Sequence, residues 1–333
     1  MKNEVDDLNG IIVNIVLKNI PKDIKPVIYL MDLLDLSRES VYRRIRGDIP
    51  FTVDELATLA LTLNLSLDEI IGGTKSERIF FDLGLRKKES PVDLIAAMLQ
   101  DTNHYFELLA KSNNSNMLIA LNCVYPIFTV YFPNLLKFNY LKRLVEIQNN
   151  LPKNYFSTLT LPQELLVSQQ KLKDGIKNIG KMTFILSPNI SLGVIKDIQY
   201  YYQRKLISKE DVEILKEDLL EMMDVAENIA KTGKLKEGKL QIDIYISIPY
   251  INSNTIYMEY DNNSEVHYWI YPNSPMIIRN SAISDIQKQW FLSMKKSSTL
   301  ITQSNEILQV NFFDAQRKLI NKLTDEPAEN IYW

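Results

Sequence analysis

Three helix starts are written into the thirty-odd residues 37–70, and they limit what this part of the chain can fold into. The first is the run DLSRESVYRRIRG at residues 35–47. Ser37 stands at a helix N-cap, where a side-chain oxygen can accept from an otherwise unpaired backbone N–H. Leu36 before it and Val41 after the first turn are placed to close as a hydrophobic staple. Val41 and Ile45 lie four residues apart, one face of a helix. Tyr42, Arg43 and Arg46 fall on the other face with Arg44 beside them, and Gly47 ends the helix by taking the left-handed C′ conformation. The second start is Thr52 with Glu55, a capping box, with Phe51 and Leu56 as its staple. The third is Ser66 with Glu69, stapled by Leu65 and Ile70.

Upstream, Val27, Leu30, Met31 and Leu34 repeat at helical spacing after Pro26, and residues 7–19 give a first helix. Asp35 and Leu36 alone separate the helix at 26–34 from the Ser37 cap. So short a connection produces the angled pair of a helix-turn-helix. A short helix with small polar residues at its N-terminus and arginines along its exposed side has the form of a recognition helix. Its N-terminal residues would then read base edges in the major groove. The expected DNA-facing set is Ser37, Arg38, Glu39, Ser40, Tyr42, Arg43 and Arg46. The competing reading is a solvated helix face that happens to carry arginines.

Residues from about 24 to 71 resemble the Cro and lambda-repressor type of helix-turn-helix, also called XRE-like. The likeness rests on LSRESVYRRIRG, the loop Asp48-Ile49-Pro50, the helix DELATLALTLN and the closing SLDEII. It implies a sequence-specific transcription regulator acting on double-stranded DNA. The sequence departs from that family at Asp35, where the turn usually has glycine; aspartate tolerates the left-handed region better than most residues.

The whole chain carries 38 Lys and Arg against 41 Asp and Glu, a net charge of −3. A general basic coat for nucleic acid is therefore excluded, and DNA binding would depend on cations gathered at Arg38, Arg43, Arg44 and Arg46, with Lys22 and Lys25 nearby. No apolar run approaches a membrane span. The acidic, polar first residues are not a signal peptide. A single cysteine, Cys123, excludes an internal disulfide and suits a reducing cytoplasm. Richness in Asn, Ile and Lys points to an AT-rich bacterial genome.

The expected organisation is multidomain α+β: an all-α helix-turn-helix domain at 1–73, a linker at 74–91, and a larger α+β region at 92–333 that senses or assembles. Within it, 92–235 reads as helices and α/β units, and 236–333 as an antiparallel sheet with helices. Strands at 117–121 and 181–186 each run into an Asn- or Pro-containing turn and then a helix, and a third case is expected at 299–302. If these strands are parallel neighbours, Asn122, Ser187, Asn189, Ser304 and Asn305 gather at the carboxyl edge of the sheet, where a small polar or anionic effector would bind. The competing and more common reading is that these residues only cap helices. Strands at 240–248, 255–260 and 266–271 read as an antiparallel meander.

Ser208 and Asp211 cap a long helix whose apolar residues Val212, Leu215, Leu219, Met222, Ala226 and Ile229 step by 3 and 4. This stripe packs either inside its own domain or as a seam between two chains. One helix-turn-helix reads too few base pairs for a genome, so a homodimer reading half-sites about 34 Å apart is expected.

There is no phosphate loop, dinucleotide fingerprint, nucleophile elbow or zinc motif. His104 and His267 have no ligand spacing, Ser187 and Ser304 have no local base, and Cys123 beside an apolar strand reads as a buried small residue. Glu217 and Asp218 read as exposed helix residues. The expectation is a non-enzyme with no cofactor, metal or catalytic residue. Two other classes stay open: a protein-interaction module using the helical domain, and an enzyme fused to a DNA-targeting domain.

Overall fold

The computed structural model describes residues 8–21, 24–63, 65, 67, 82–83, 90–112, 114–124, 126–147, 151–261, 263–271 and 274–323. The expected capping box at Ser66 and Glu69, Lys22, and positions 74–81 and 84–89 of the expected linker lie outside these residues. The chain divides into two compact units, residues 1–80 and 81–333. No described helix is long and apolar enough to cross a membrane.

The first unit contains α1 (Leu8–Asn19), α2 (Pro26–Leu34), α3 (Arg38–Ile45) and α4 (Val53–Leu63). Pro26 occupies the first turn of α2, where its missing N–H has no helical partner to lose. The helices close on one core of Ile12, Val13, Val16, Ile20, Leu30, Val41, Phe51 and Leu59. α1 contributes Ile12 and Val16 from the face its spacing announces.

The second unit is built on one eight-stranded mixed sheet, in chain order β1 (Asp82–Leu83), β2 (Ser115–Leu121), β3 (Lys181–Leu186), β4 (Gln241–Ser247), β5 (Thr255–Tyr260), β6 (Asn263–Tyr271), β7 (Ser274–Ile278) and β8 (Ser298–Leu300). Its spatial order is β1-β7-β6-β5-β2-β3-β4-β8. β2, β3 and β4 are parallel, with Ile119 beside Phe184 and Phe184 beside Ile244. The long helical connections between them meet the need of parallel strands for a crossover. They comprise α6 (Pro133–Ile147), α7 (Tyr155–Thr158) and α8 (Gln163–Ile176) after β2, and α9 (Leu192–Gln203) and α10 (Lys209–Thr232) after β3; α5 (Pro91–Lys111) precedes β2. The last described helices are α11 (Ser281–Lys296) and α12 (Glu306–Asn321).

Alternate residues of each strand feed two cores. Met117, Ile119, Met182, Ile242, Ile244, Ile256 and Met258 pack under most of the helices. Leu118, Ala120, Ile185, Tyr257 and Val266 pack with Phe291 and Met294 of α11 on the other face.

Three expectations are corrected here. β4 is not part of a meander with β5. It lies parallel to β3, and only β5, β6 and β7 run antiparallel in sequence. The strict alternation of β4 arises because its second face is half open, where Asp243 pairs with Lys181 at 2.9 Å. Ile248 continues that alternation in sequence but lies past the strand end and is exposed. Of the two readings of the α10 stripe, packing inside its own domain is the one that holds: Val212, Leu215, Leu219 and Met222 are buried in the core. Asp218 is buried and not exposed: its carboxylate accepts from the backbone N–H groups of Asn134 and Leu135 at 2.9 and 3.0 Å, capping α6 from another helix.

The core also holds a polar cluster that the spacing of the two histidines did not announce. Glu265 and His267, two residues apart on β6, face the same side of the sheet, and both are buried. His267 Nε2 lies 3.2 Å from Glu265 Oε2, the Tyr260 hydroxyl donates to Glu265, and Arg279 stands 3.4 Å away. Burial alone would raise the Glu265 pKa. The hydrogen bonds from His267 and Tyr260 and the charge of Arg279 outweigh it and hold the carboxyl at about 2. A depressed carboxylate pKa adds stability above the ordinary value of 4.5 that is lost as pH falls toward 2. Urea unfolding followed from pH 6 down to pH 3 should therefore show a loss of stability in the larger unit, and Glu265→Gln should flatten that slope while lowering stability at neutral pH.

Candidate nucleic-acid interface

The geometry of α3 is set at both ends by its own sequence. α2 stops at Asp35, whose φ of 50° and ψ of 47° place it in the left-handed region. A short polar residue tolerates this where a β-branched one would not. Ser37 is then extended, and its Oγ accepts from Ser40 N at 3.3 Å and donates to Ser40 Oγ at 2.9 Å. At the other end Gly47 has φ +81°. Its N–H bonds to Arg44 O at 3.0 Å while that of Asp48 bonds to Arg43 O at 2.8 Å. This is the Schellman pair that satisfies the last carbonyls of a helix.

α3 is tied to α4 by one carboxylate. Arg44 Nε and Nη2 donate to the two oxygens of Glu55 at 2.8 and 2.7 Å. The same Glu55 Oε2 accepts from Thr52 N at 2.9 Å, and Thr52 Oγ1 accepts from Glu55 N at 3.3 Å. The capping box and a bidentate ion pair thus share a side chain. Arg44 and Glu55 are largely buried, so Arg44 adds nothing to the exposed charge, contrary to its expected place in the basic cluster.

The exposed face that remains carries Arg38, Glu39, Arg43 and Arg46. Glu39, Arg43 and Arg46 follow i, i+4, i+7 and form its centre. The Arg38 guanidinium lies 5.7 Å from the centroid of the half-buried Tyr42 ring. Arg46 Nε meets Asp48 at 3.0 Å, and Arg46 Nη2 lies 3.8 Å from Glu39, both exposed pairs of little strength in water. Arg43 has no ion-pair partner among the described residues. Ser37 and Ser40 face each other at the N-terminal end. The seven residues expected to face DNA therefore share one short helix and its cap.

Residues 21–88 match the family model described as the BetR domain. The match takes in α2, α3 and α4 and covers about a fifth of the chain. It marks a small helical domain of DNA-binding type. No curated protein and no solved structure matches the chain.

Outside the BetR segment, the five residues expected at the sheet edge do not gather. β2 and β3 are parallel, and Asn122 and Ser187 do lie side by side at their carboxyl ends, with Ser187 N bonded to Leu121 O at 2.8 Å. β8, however, is antiparallel to β4. The chain leaving β8 runs back along β4, where Thr302 Oγ1 accepts from Ile244 N and Gln303 N bonds to Ala230 O. Ser304 and Asn305 therefore fall at the amino end of the parallel strands, and Asn305 caps α12 through Leu308 N at 3.1 Å. Asn122 is itself occupied: its N–H donates to Asn254 Oδ1 at 2.9 Å and its side-chain amide to Ile251 O at 3.2 Å. These bonds anchor the connection that carries the chain from β4 past β3 and β2 to β5. Ser187 Oγ accepts from Asn189 N at 3.4 Å within the turn.

Burial would raise the Glu55 pKa, but the hydrogen bonds from Arg44 and Thr52 and the Arg44 charge bring it below its ordinary 4.5. The stability this adds is present above pH 4.5 and disappears as the pH falls through the lowered value. Replacing Glu55 by Ala removes a cap and leaves Arg44 without its partner, which should lower the stability of the N-terminal unit by about 1–3 kcal/mol. Urea unfolding of the full chain, followed by circular dichroism, measures this. Glu55→Gln should lose less at pH 7 and should abolish the acid-side slope.

Proposed function

We propose that the chain is a sequence-specific DNA-binding transcription regulator. α3 enters the major groove in the manner of the Cro and lambda-repressor type, and the larger unit senses an effector or assembles two chains. The observation that carries this reading is a short helix capped at both ends, pinned to its neighbour through Arg44, and leaving Arg38, Glu39, Arg43 and Arg46 exposed. Ser37, Arg38, Glu39 and Ser40 approach base edges from the N-terminal end. Tyr42, Arg43 and Arg46 reach bases or the flanking phosphates. Glu39 repels phosphate but accepts from a cytosine amino group. With a net charge of −3 the chain relies on its specific site, and its affinity for unrelated duplex is weak.

The regulator acts as a cytoplasmic homodimer, because one domain reads too few base pairs. The interface belongs to residues after 90 but not to the apolar stripe of α10, which is buried in its own chain. Sedimentation at micromolar concentration should give a dimer on DNA. A monomer both free and bound would contradict this part of the reading.

The interface itself is tested with duplexes recovered from a random pool. Arg43→Ala should cost about 1–3 kcal/mol on the best site and relax preference at one position if Arg43 reads a base. Arg46→Ala should weaken all sequences alike and reduce the salt slope by about one if Arg46 holds a phosphate. The double variant binding with unchanged affinity and unchanged salt slope would end the assignment. Arg44→Ala should act differently, lowering stability first.

A further inference from the structure

The two faces of the sheet in the larger unit are covered unequally. On the face that holds Leu118, Ile185 and Tyr257, α11 is the one described helix that joins the core, through Phe291 and Met294 with Ile283 against them. Its buried side is tied down: the Tyr268 hydroxyl donates to Gln287 at 2.5 Å, and Lys288 pairs with Glu259. Its opposite side is open to solvent from Ala282 to Lys296. There Ile286 is 65% exposed, and Trp290 and Leu292 are exposed as well. The Trp290 ring stands edge-on to Phe291, 5.0 Å between centroids, so it is held in place from below. Apolar side chains gathered on one exposed face, with a tryptophan among them, mark a surface where proteins meet.

The shape and charge of this face suit a second copy of itself. Around the helix, Ala282, Gln289 and Ser293 lie between Ile286 and Leu292, a low line that lets another helix approach closely. Asp285 stands near the start of the exposed side and Lys296 at its end, and neither is in an ion pair with a described residue. Along the helix they are about 16 Å apart, twice the Debye length of about 8 Å at physiological salt, so they hardly interact within one chain. A two-fold axis crossing α11 between Trp290 and Phe291 sets each Asp285 against the Lys296 of the second copy, twice over. A parallel pair would set like charge against like. A helix of about 24 Å is short of the roughly 800 Å² a side of a standard interface, and the loop after β4 widens it. Ser247 is opposite Ser298, so Ile248 lies beside the Ser297 cap of α11. Both Ile248 and Tyr250 are exposed, while Ile251 joins the same core as Phe291 and Met294.

We propose that two copies of this chain associate through the outer faces of α11, packed antiparallel about a two-fold axis with Gln289 of each copy over Leu292 of the other. The proposal rests on the regulator reading's need for two chains and gives that dimer its interface, which the stripe of α10 cannot supply. Association is measured on the chain without DNA, so the outcome is independent of whether α3 reads a duplex.

Sedimentation of the full chain at micromolar concentration and about 0.15 M salt tests it. The wild-type chain should be a dimer. Ile286→Glu alters an exposed residue, so it should keep a cooperative melt by circular dichroism and sediment as a monomer. Asp285→Lys sets lysine against lysine and should weaken association about three- to tenfold, the weight of two exposed pairs. Asp285→Lys with Lys296→Asp restores opposite charges across the axis and should bring the affinity back to within about twofold of wild type. Recovery of this kind cannot arise within one chain, where the two positions are screened from each other. A wild-type chain that is monomeric, whatever else covers α11, would overturn the proposal together with the homodimer reading. A dimer that persists in folded Ile286→Glu would overturn this interface alone and leave two chains assembled elsewhere. A double exchange that recovers nothing lost by Asp285→Lys would overturn the antiparallel pairing on which the proposal stands.

Discussion

The Glu55 carboxylate is the constraint on which the N-terminal unit depends. It takes two hydrogen bonds from Arg44 and one from the Thr52 backbone, and so joins the start of α4 to the side of α3. Arg44 has little freedom left, because its Nη1 also donates to Ser40 O within α3. Guanidinium and carboxylate are both planar, so a bidentate pair fixes direction as well as distance. The orientation of α3 relative to the rest of its unit follows from this pair and from Val41 in the core. The exposed residues of α3 follow in turn. The group that holds α3 in place is an arginine that a count of basic residues would assign to DNA.

In the larger unit the controlling feature is the path of the chain between β4 and β5. Three parallel strands end at one edge, and the chain then passes along that edge to add β5 on the far side of β2. Asn122 and Asn254 hold this passage by bonding to each other's segment, and the Asn254 amide also donates to Cys123 Sγ at 3.1 Å. The polar residues at the edge are therefore taken up by the fold, and the space left beneath them is apolar.

Local devices were legible in the sequence because each is made by residues a few positions apart. The Ser37 cap, the left-handed Asp35 and Gly47, and the two-way box of Ser208 and Asp211 all stand as read. So do the strands at 181–186 and 255–260. Partners distant in sequence were not legible. Nothing near Arg44 marks Glu55, eleven residues on, as its partner rather than only a helix start. Nothing beside Asp218 shows that it caps α6, some eighty residues earlier. β4 misled for a related reason: alternation reports which face is buried, not whether the neighbour is parallel. β8, expected to repeat the strand–turn–helix plan of β2 and β3, runs the other way, and this alone removes Ser304 and Asn305 from the expected cluster.

The central claim, that α3 reads the duplex, is tested most directly by photocrosslinking from its centre. A photoreactive phenylalanine analogue at position 39 would be placed against a duplex recovered from a random pool by the full chain. The account expects light-dependent adducts at bases of the recovered site, suppressed by excess unlabelled site and not by unrelated duplex. A chain that binds the same duplex with full affinity and leaves no adduct from position 39 would show that another surface does the reading.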